Sequence, residues 1–176
     1  MNYKLGIIGA GKIGEALLSG AFAKNLFTPE EVILSVRTES HRQDLERRYK
    51  TAATLDNRLV AANSDIILLT VKPKAIVDIV NAVADCLKPG TLIISAAAGV
   101  SLDVIESRVP GFVAVVRAMP NLAMLVGEGM TVVSPGKNVS AEQLSAAMTL
   151  FGSVGRAMQL DEQHMDAVTG LSGSGP

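Results

Sequence analysis

The chain has 176 residues, 48% of them apolar, and its 16 basic and 17 acidic side chains leave a formal net charge of −1. This composition is sufficient for one buried domain, or for one domain and the start of a second. Neither sign of charge forms a long run and no apolar run approaches the ~20 residues of a spanning helix, so we expect neither a nucleic-acid partner nor a membrane. A single cysteine, Cys86, excludes an intramolecular disulfide and favours a reducing, cytoplasmic location.

Short runs rich in valine, isoleucine and leucine alternate with segments of helical periodicity along the chain. This alternation is typical of strands buried on both faces of a parallel sheet. Strands are predicted near residues 4–9, 32–36, 51–54, 65–71, 91–96, 112–118, 129–134 and 155–160. Helices are predicted near residues 11–24, 40–49, 56–62, 74–87, 101–107 and 140–152. The fold class is therefore α/β, a Rossmann-type, doubly wound and mostly parallel sheet with helices on both faces, whose ligands bind beyond the carboxyl ends of the strands.

Two serines have the spacing of helix capping boxes. Ser40 precedes Gln43 by three residues, and Ser140 precedes Gln143 by the same distance. In such a box the serine side chain and the later side chain each bind the other residue's backbone amide. Both serines are therefore predicted to begin helices.

A glycine motif follows the first predicted strand, within "GIIGAGKIGEALLSG" at residues 6–20. Gly9 permits a tight turn, Gly11 lets a pyrophosphate approach the backbone, and Gly14 lets the helix pack closely on the strand. The helix that follows presents free amides and its positive dipole end to phosphates. The motif predicts a dinucleotide site.

The end of the second strand indicates which dinucleotide is bound. An NAD enzyme usually carries a carboxylate there to hold the ribose 2′-hydroxyl, whereas this chain has Ser35, Arg37 and Thr38. A guanidinium and a hydroxyl suit a 2′-phosphate, so NADP is favoured over NAD. Glu39 keeps the NAD alternative open, since it lies two residues further on.

Two later strand ends add candidate contacts. Pro73 holds Lys72 out of helical geometry, which makes Lys72 a candidate for cofactor ribose or phosphate rather than a general acid. Small side chains at residues 96–99 leave room for a flat ring against the backbone, or simply reflect close packing of helix on sheet. The histidines, His41 and His164, lack metal-ligand spacing and are predicted to lie on helix surfaces.

Six segments together resemble the pyrroline-5-carboxylate reductases: "GAGKIGEALLSG", "VKP", "SAAAGVS", "RAMPN", "LVGEGMT" and "DAVTGLSGSGP". The resemblance implies NADP(H) as cofactor, with NAD(H) as the weaker alternative. It also implies transfer of a hydride from NADPH to the cyclic imine 1-pyrroline-5-carboxylate, which gives L-proline. A protonated imine is already a good electrophile, so we expect no metal and name no catalytic side chain.

The motifs and the resemblance together give the candidate site residues. The cofactor-binding candidates are Ile8, Gly9, Ala10, Gly11, Lys12, Ile13, Gly14, Ser35, Arg37, Thr38, Asn57, Thr70, Val71, Lys72, Pro73, Ala96, Ala97, Ala98 and Asn121. The substrate-binding candidates are Met119, Pro120, Ser172, Gly173, Ser174 and Gly175. Asn57, Asn121 and all of the substrate-binding candidates are implied by the resemblance alone.

The resemblance also predicts the domain organisation. Residues 1–160 are expected to form the NADP-binding domain, and residues 161–176 the start of a C-terminal helical dimerisation domain that is cut short. The full-length protein is expected to be a homo-oligomer acting on a small molecule, whereas this chain alone should bind NADPH with little turnover. Leu122 and Ala123 stand where the family usually has Thr-Pro, which leaves the geometry of that loop open.

Two alternatives remain open at this point. One is a non-catalytic module that binds NADP(H), and the other is an NADP-dependent dehydrogenase of the β-hydroxyacid type. The latter would carry a catalytic lysine on a helix after the nucleotide domain, but the last lysine here is Lys137.

Overall fold

A computed structural model describes residues 2–173 of the chain. The described part is built on an eight-stranded sheet with the strand order β3-β2-β1-β4-β5-β6-β7-β8. The strands are β1 (Tyr3–Ile8), β2 (Val32–Ser35), β3 (Ala52–Thr54), β4 (Ser64–Leu69), β5 (Leu92–Ser95), β6 (Ala114–Met119), β7 (Gly129–Pro135) and β8 (Gly155–Gln159). All neighbours pair in parallel except β6 and β7.

Helices cover both faces of this sheet. They are α1 (Lys12–Ala23), α2 (Glu39–Tyr49), α3 (Asn57–Asn63), α4 (Ile76–Val83), α5 (Leu102–Glu106), α6 (Ala141–Gly152) and α7 (Met165–Val168). One apolar cluster buries residues of α1, α2 and α6 against the sheet, and a second buries residues of α3, α4 and α5. The predicted doubly wound, mostly parallel fold is confirmed.

The strand order reverses at β1, which has β2 on one side and β4 on the other. The chain leaves β1 towards β2 and β3, and then returns past β1 to β4. In such sheets this reversal opens a crevice at the carboxyl ends of the strands, where ligands bind. The glycine motif lies at this position.

The predicted elements agree with the structure except at the ends of several strands and helices. Residues 74–87 form α4 only between Ile76 and Val83, with short 3₁₀ turns at Pro73–Ala75 and Ala84–Cys86. Short 3₁₀ turns of this kind are common at the ends of α-helices.

The capping prediction for Ser40 is wrong, and the one for Ser140 is confirmed. Thr38 begins α2, because its backbone is extended and its side chain accepts a hydrogen bond from the His41 amide. Ser40 therefore lies inside the helix. At α6, the Gln143 amide donates to Ser140 Oγ (3.2 Å) and the Ser140 amide donates to Gln143 Oε1 (3.0 Å).

After β8 the chain forms a 3₁₀ turn (Glu162–His164), the short helix α7, and a π-helical turn at Thr169–Gly173. Met165 of α7 is fully buried against Met119 and Val132. Met165 therefore anchors α7 to the sheet, while most of the segment around it is exposed. Within residues 2–173, none of the helices has the length and apolar character needed to cross a membrane.

Candidate cofactor and substrate site

A cavity of about 810 Å³ lies at the carboxyl ends of β1, β2 and β4, and we call it the strand-end cavity. Three loops meet there: residues 9–11 after β1, residues 35–37 after β2, and residues 70–72 after β4. Their convergence is what the doubly wound topology requires of a ligand crevice. The remaining lining residues are His41, Leu55, Asn57, Lys74, Ala75, Asp78 and Ile79.

The glycines of the first loop have distinct physical roles. Gly9 has a φ of 84°, and a Cβ there would lie 2.3 Å from Val71 Cγ1, so no other residue fits without displacing the third loop. At Gly11 the nearest atom to a Cβ would be the Gly9 carbonyl oxygen at 3.9 Å, so the backbone remains open to a ligand. A Cβ at Gly14 would lie 2.8 Å from Thr70 Oγ1. The predicted close packing of α1 on the sheet at Gly14 is confirmed.

The start of α1 is suited to bind an anion. Gly11 caps this 12-residue helix without a side chain, and the Glu15 amide donates back to the Gly11 carbonyl (2.8 Å). The amides of the first turn of α1 therefore have no side-chain acceptor at the cap and can bind a phosphate.

Hydrogen bonds fix the loops to one another. The Gly9 and Ala10 amides both donate to the Ser35 carbonyl, at 3.0 and 3.1 Å, which joins the first loop to the second. Thr70 Oγ1 donates to the Gly9 carbonyl (2.9 Å), which joins the third loop to the first. The cavity is therefore held in shape by the protein itself.

Asn57 and Arg37 form the corner of the cavity where the second strand ends. Ser35 Oγ donates to Asn57 Oδ1 (2.7 Å), so the amide group of Asn57 keeps its two N–H donors for a ligand. Arg37 is exposed, lines the cavity and has no ion pair or hydrogen bond with any described residue. Thr38 does not line the cavity, and its hydroxyl accepts the hydrogen bond from the His41 amide that caps α2.

Glu39, the residue that kept an NAD site open, is engaged elsewhere. Arg42 Nε donates to Glu39 Oε2 and Gln43 Nε2 donates to Oε1, both at 2.8 Å. The hydrogen bonds from Arg42 and then Gln43 lower the pKa of Glu39 to about 2. Its carboxylate is therefore taken up by its own helix and is absent from the lining of the cavity.

Other cofactor candidates surround the cavity without lining it. Ile8 is fully buried, and its carbonyl accepts from the Thr70 amide (3.0 Å). Lys12 lines a separate cavity of about 580 Å³, and Ile13 packs against the apolar core. Pro73 begins the 3₁₀ turn that follows Lys72, whose backbone is extended as predicted.

The candidates for the nicotinamide and the substrate lie at the ends of β5 and β6. Ala96, Ala97 and Ala98 follow β5, and Ala97 is buried in the core. Met119 ends β6 and Pro120 follows it, and both are buried. Asn121 Oδ1 accepts a hydrogen bond from the Met130 amide (3.1 Å). These side chains do not line the strand-end cavity, and their ligand contacts stay predictions.

The last substrate candidates lie at the end of the described chain. Ser172 and Gly173 belong to the π-helical turn. Ser174 and Gly175 lie outside the described residues.

Sequence reasoning missed Arg117, a charged residue in the buried strand β6. Its side chain is 7% exposed and pairs with Glu162 Oε1 at 3.2 Å and with Asp166 Oδ1 at 3.0 Å. Glu162 Oε1 also accepts from the Leu102 amide (2.6 Å), so the group ties the terminal segment to both β6 and α5. An arginine within an apolar strand is the signal that predicts such carboxylate partners.

A family model described as "NADP oxidoreductase coenzyme F420-dependent" matches residues 4–99. The pyrroline-5-carboxylate reductase of Methanosarcina acetivorans is 41% identical over 99% of this chain and 65% of the relative. That of Corynebacterium melassecola is 39% identical over 98% of this chain and 64% of the relative. The chain therefore spans just under two thirds of the length of these curated relatives.

Solved structures agree with the sequence comparison. A pyrroline-5-carboxylate reductase from Coxiella burnetii superposes with a TM-score of 0.93 at 29% identity, covering 100% of this chain and 66% of the other. The Plasmodium falciparum pyrroline carboxylate reductase, solved with NADP bound, gives a TM-score of 0.86 at 29% identity, covering 99% of this chain and 64% of the other. The chain thus belongs to the NADP oxidoreductase family whose model it matches, and its resemblance to the pyrroline-5-carboxylate reductases is confirmed.

Proposed function

We propose that this chain is the NADP(H)-binding part of a pyrroline-5-carboxylate reductase, an oxidoreductase that acts on a CH–NH group in the last step of proline biosynthesis. The observation that carries the proposal is the meeting of three strand-end loops around one cavity of about 810 Å³. The family match and the reductase relatives support it.

The residues of the cavity fit a phosphorylated dinucleotide. The amides at the start of α1 would bind the pyrophosphate, over the open backbone at Gly11. Arg37 would bind the 2′-phosphate, since it is unpaired within the described chain. Glu39 is held by Arg42 and so would neither repel that phosphate nor bind a ribose 2′-hydroxyl.

Apolar side chains on the other side of the cavity would hold the adenine ring. Leu55, Val71 and Ile79 line the wall that α3 and α4 form with the end of β4. A flat aromatic ring gains by leaving water against such a surface. Lys72 follows this wall and would bind ribose or phosphate.

The reaction would take place at the ends of β5 and β6. Bound NADPH supplies the hydride, and the residues of the chain bind and orient the reactants. Ala96–Ala98 would leave room for the nicotinamide, and Met119, Pro120 and Asn121 would lie beside it. Arg117 would hold the terminal segment, residues 161–173, where the substrate-binding residues begin.

The division into residues 1–160 and residues 161–176 belongs to this proposal, as do a homo-oligomeric whole protein and a cytoplasmic location. A small-molecule substrate is expected, as in the reductase relatives.

Cofactor choice is tested with Arg37→Ala, measuring NADPH and NADH dissociation constants by calorimetry. Loss of one or two hydrogen bonds to a charged group should weaken NADPH binding by about 10- to 100-fold and leave NADH binding within about twofold. Arg47→Ala is the matched control, because Arg47 lies on α2 with its side chain 77% exposed. An unchanged ratio of the two affinities would remove Arg37 from the proposal.

The reductase assignment is tested with a chimera. Residues 1–176 of this chain replace the matching 65% of the Methanosarcina acetivorans reductase, and oxidation of NADPH is followed with pyrroline-5-carboxylate. We expect turnover that depends on both compounds, and little turnover from the present chain alone. A folded chimera that binds NADPH but reduces no imine would favour the non-catalytic binding module instead.

A further inference from the structure

His41 lines the strand-end cavity, although the sequence predicts an ordinary surface histidine. It lies in the first turn of α2, where its backbone amide donates to Thr38 Oγ1 (3.4 Å). Its imidazole shares the cavity wall with Gly11 of the first loop and Arg37 of the second. His41 therefore lines the same cavity as the residues proposed to bind the pyrophosphate and the 2′-phosphate.

A carboxylate orients the imidazole. His41 Nε2 lies 3.4 Å from Glu15 Oε1, and the other oxygen of Glu15 accepts from Arg48 (2.6 Å) and from the Tyr49 hydroxyl (3.3 Å). An ionised carboxylate only accepts hydrogen bonds, so Nε2 is the nitrogen that carries hydrogen. Nδ1 has no hydrogen-bond partner within the described chain.

This arrangement decides what His41 can do for an anion. In the neutral ring with hydrogen on Nε2, Nδ1 is an acceptor and would repel a phosphate oxygen. In the imidazolium both nitrogens donate, so Nε2 remains on Glu15 while Nδ1 becomes a donor. An anion bound at Nδ1 would therefore favour the imidazolium, with uptake of one proton from solvent.

We propose that His41 is a specificity-determining residue that binds the 2′-phosphate of NADP(H) together with Arg37, taking up a proton as the cofactor binds. The inference rests on the proposed NADP(H) function. It adds to that site a second cationic side chain, which would bind NADP(H) but not NAD(H). The charged and titratable groups around the ring are Glu15 on α1, Arg48 and Tyr49 behind it on α2, and Arg37 in the loop. Thr38 and Ser40 add uncharged hydroxyls on the same turn.

The test compares NADPH and NADH dissociation constants at pH 6.0 and pH 8.5 for the unmodified chain, His41→Gln and His41→Lys. The phosphate group also titrates near pH 6, so variants are compared with the unmodified chain at the same pH. His164→Gln is the matched control, because His164 is exposed, lies in the 3₁₀ turn after β8 and does not line the cavity. Thermal unfolding of each variant confirms folding.

We expect His41→Gln to weaken NADPH binding about 5- to 20-fold at pH 6.0 and less than about twofold at pH 8.5. NADH binding should weaken less than about twofold at either pH. His41→Lys should keep the NADPH preference at both pH values, because its charge does not depend on pH in this range. If His41→Gln leaves the NADPH:NADH ratio unchanged, or weakens both cofactors equally, the inference is overturned while the NADP(H) proposal stands. If the unmodified chain itself shows no preference for NADPH, both fail together.

Discussion

The carboxyl ends of β1, β2 and β4 differ from those of β5 and β6, although all five strands belong to one sheet. The first group opens into a cavity whose loops are joined by short hydrogen bonds between neighbouring strands. The second group contacts the chain's own terminal segment, which is held by Arg117 and by the packing of Met165. The difference indicates that the proposed phosphate contacts line an open cavity, whereas the proposed substrate region is held by the ion pairs of Arg117 and the packing of Met165.

The largest effect is expected from Gly9→Ala, in the first loop of the strand-end cavity. The added methyl group overlaps Val71 and the residue keeps a φ of 84°, so both the first and the third loop must move. We expect the free energy of unfolding to fall by about 2–4 kcal/mol and NADPH affinity to fall by at least about tenfold, measured by urea unfolding and calorimetry.

Gly90→Ala is the control for backbone strain. Gly90 has a φ of 88° but no atom within 4 Å of an added Cβ. Its cost should be about 1 kcal/mol, with NADPH affinity unchanged. Equal losses in the two variants would mean that the overlap with Val71 is relieved at no cost, and that the loops are not fixed to one another.

An intermediate effect is expected from Arg117→Met, in the region where the terminal segment contacts β6. Removing one member of a buried ion pair is usually costly, but Glu162 and Asp166 are 30% and 88% exposed and can be hydrated. We expect a loss of about 2 kcal/mol in the free energy of unfolding, and faster hydrogen exchange at the Leu102 amide, whose acceptor is Glu162.

NADPH affinity should remain within about twofold in Arg117→Met, because Arg117 does not line the strand-end cavity. Arg108→Met serves as control, since Arg108 is exposed and bonds only to its own helix and to Ser107 in the described structure. A large fall in NADPH affinity on loss of Arg117 would show that the region at β5 and β6 is coupled to the strand-end cavity. That result would contradict the independence of the two regions.

The smallest effect is expected from Glu39→Gln, compared with the unmodified chain during acid unfolding. The folded pKa of Glu39 is about 2, below its ordinary value of 4.5, so its stabilising contribution is full above pH 4.5 and is lost as the pH falls towards 2. The stability difference between the two proteins should therefore shrink over that window. The NADPH:NADH ratio should not change, and a shift towards NADPH would restore Glu39 as a residue of the ribose site.

Most of the fold and half of the site follow from local sequence. Apolar runs predict most of the strands, and the spacing of Gly9, Gly11 and Gly14 predicts the tight loop before α1, because each depends on neighbouring residues and backbone sterics. The Arg117 group joins residues 45 and 49 positions apart, which no local pattern encodes. His41 was missed for a related reason, since its place beside Glu15 depends on how α1 and α2 pack.

The Ser35 carbonyl, which accepts from both the Gly9 and the Ala10 amides, fixes the distance between the loops proposed to bind the pyrophosphate and the 2′-phosphate. The distance that a ligand must span between these two loops is therefore set before the ligand binds. Mononucleotides and shortened analogues would contact only one of the two loops and would bind more weakly than the full dinucleotide. The site would then select its ligand by length as well as by charge.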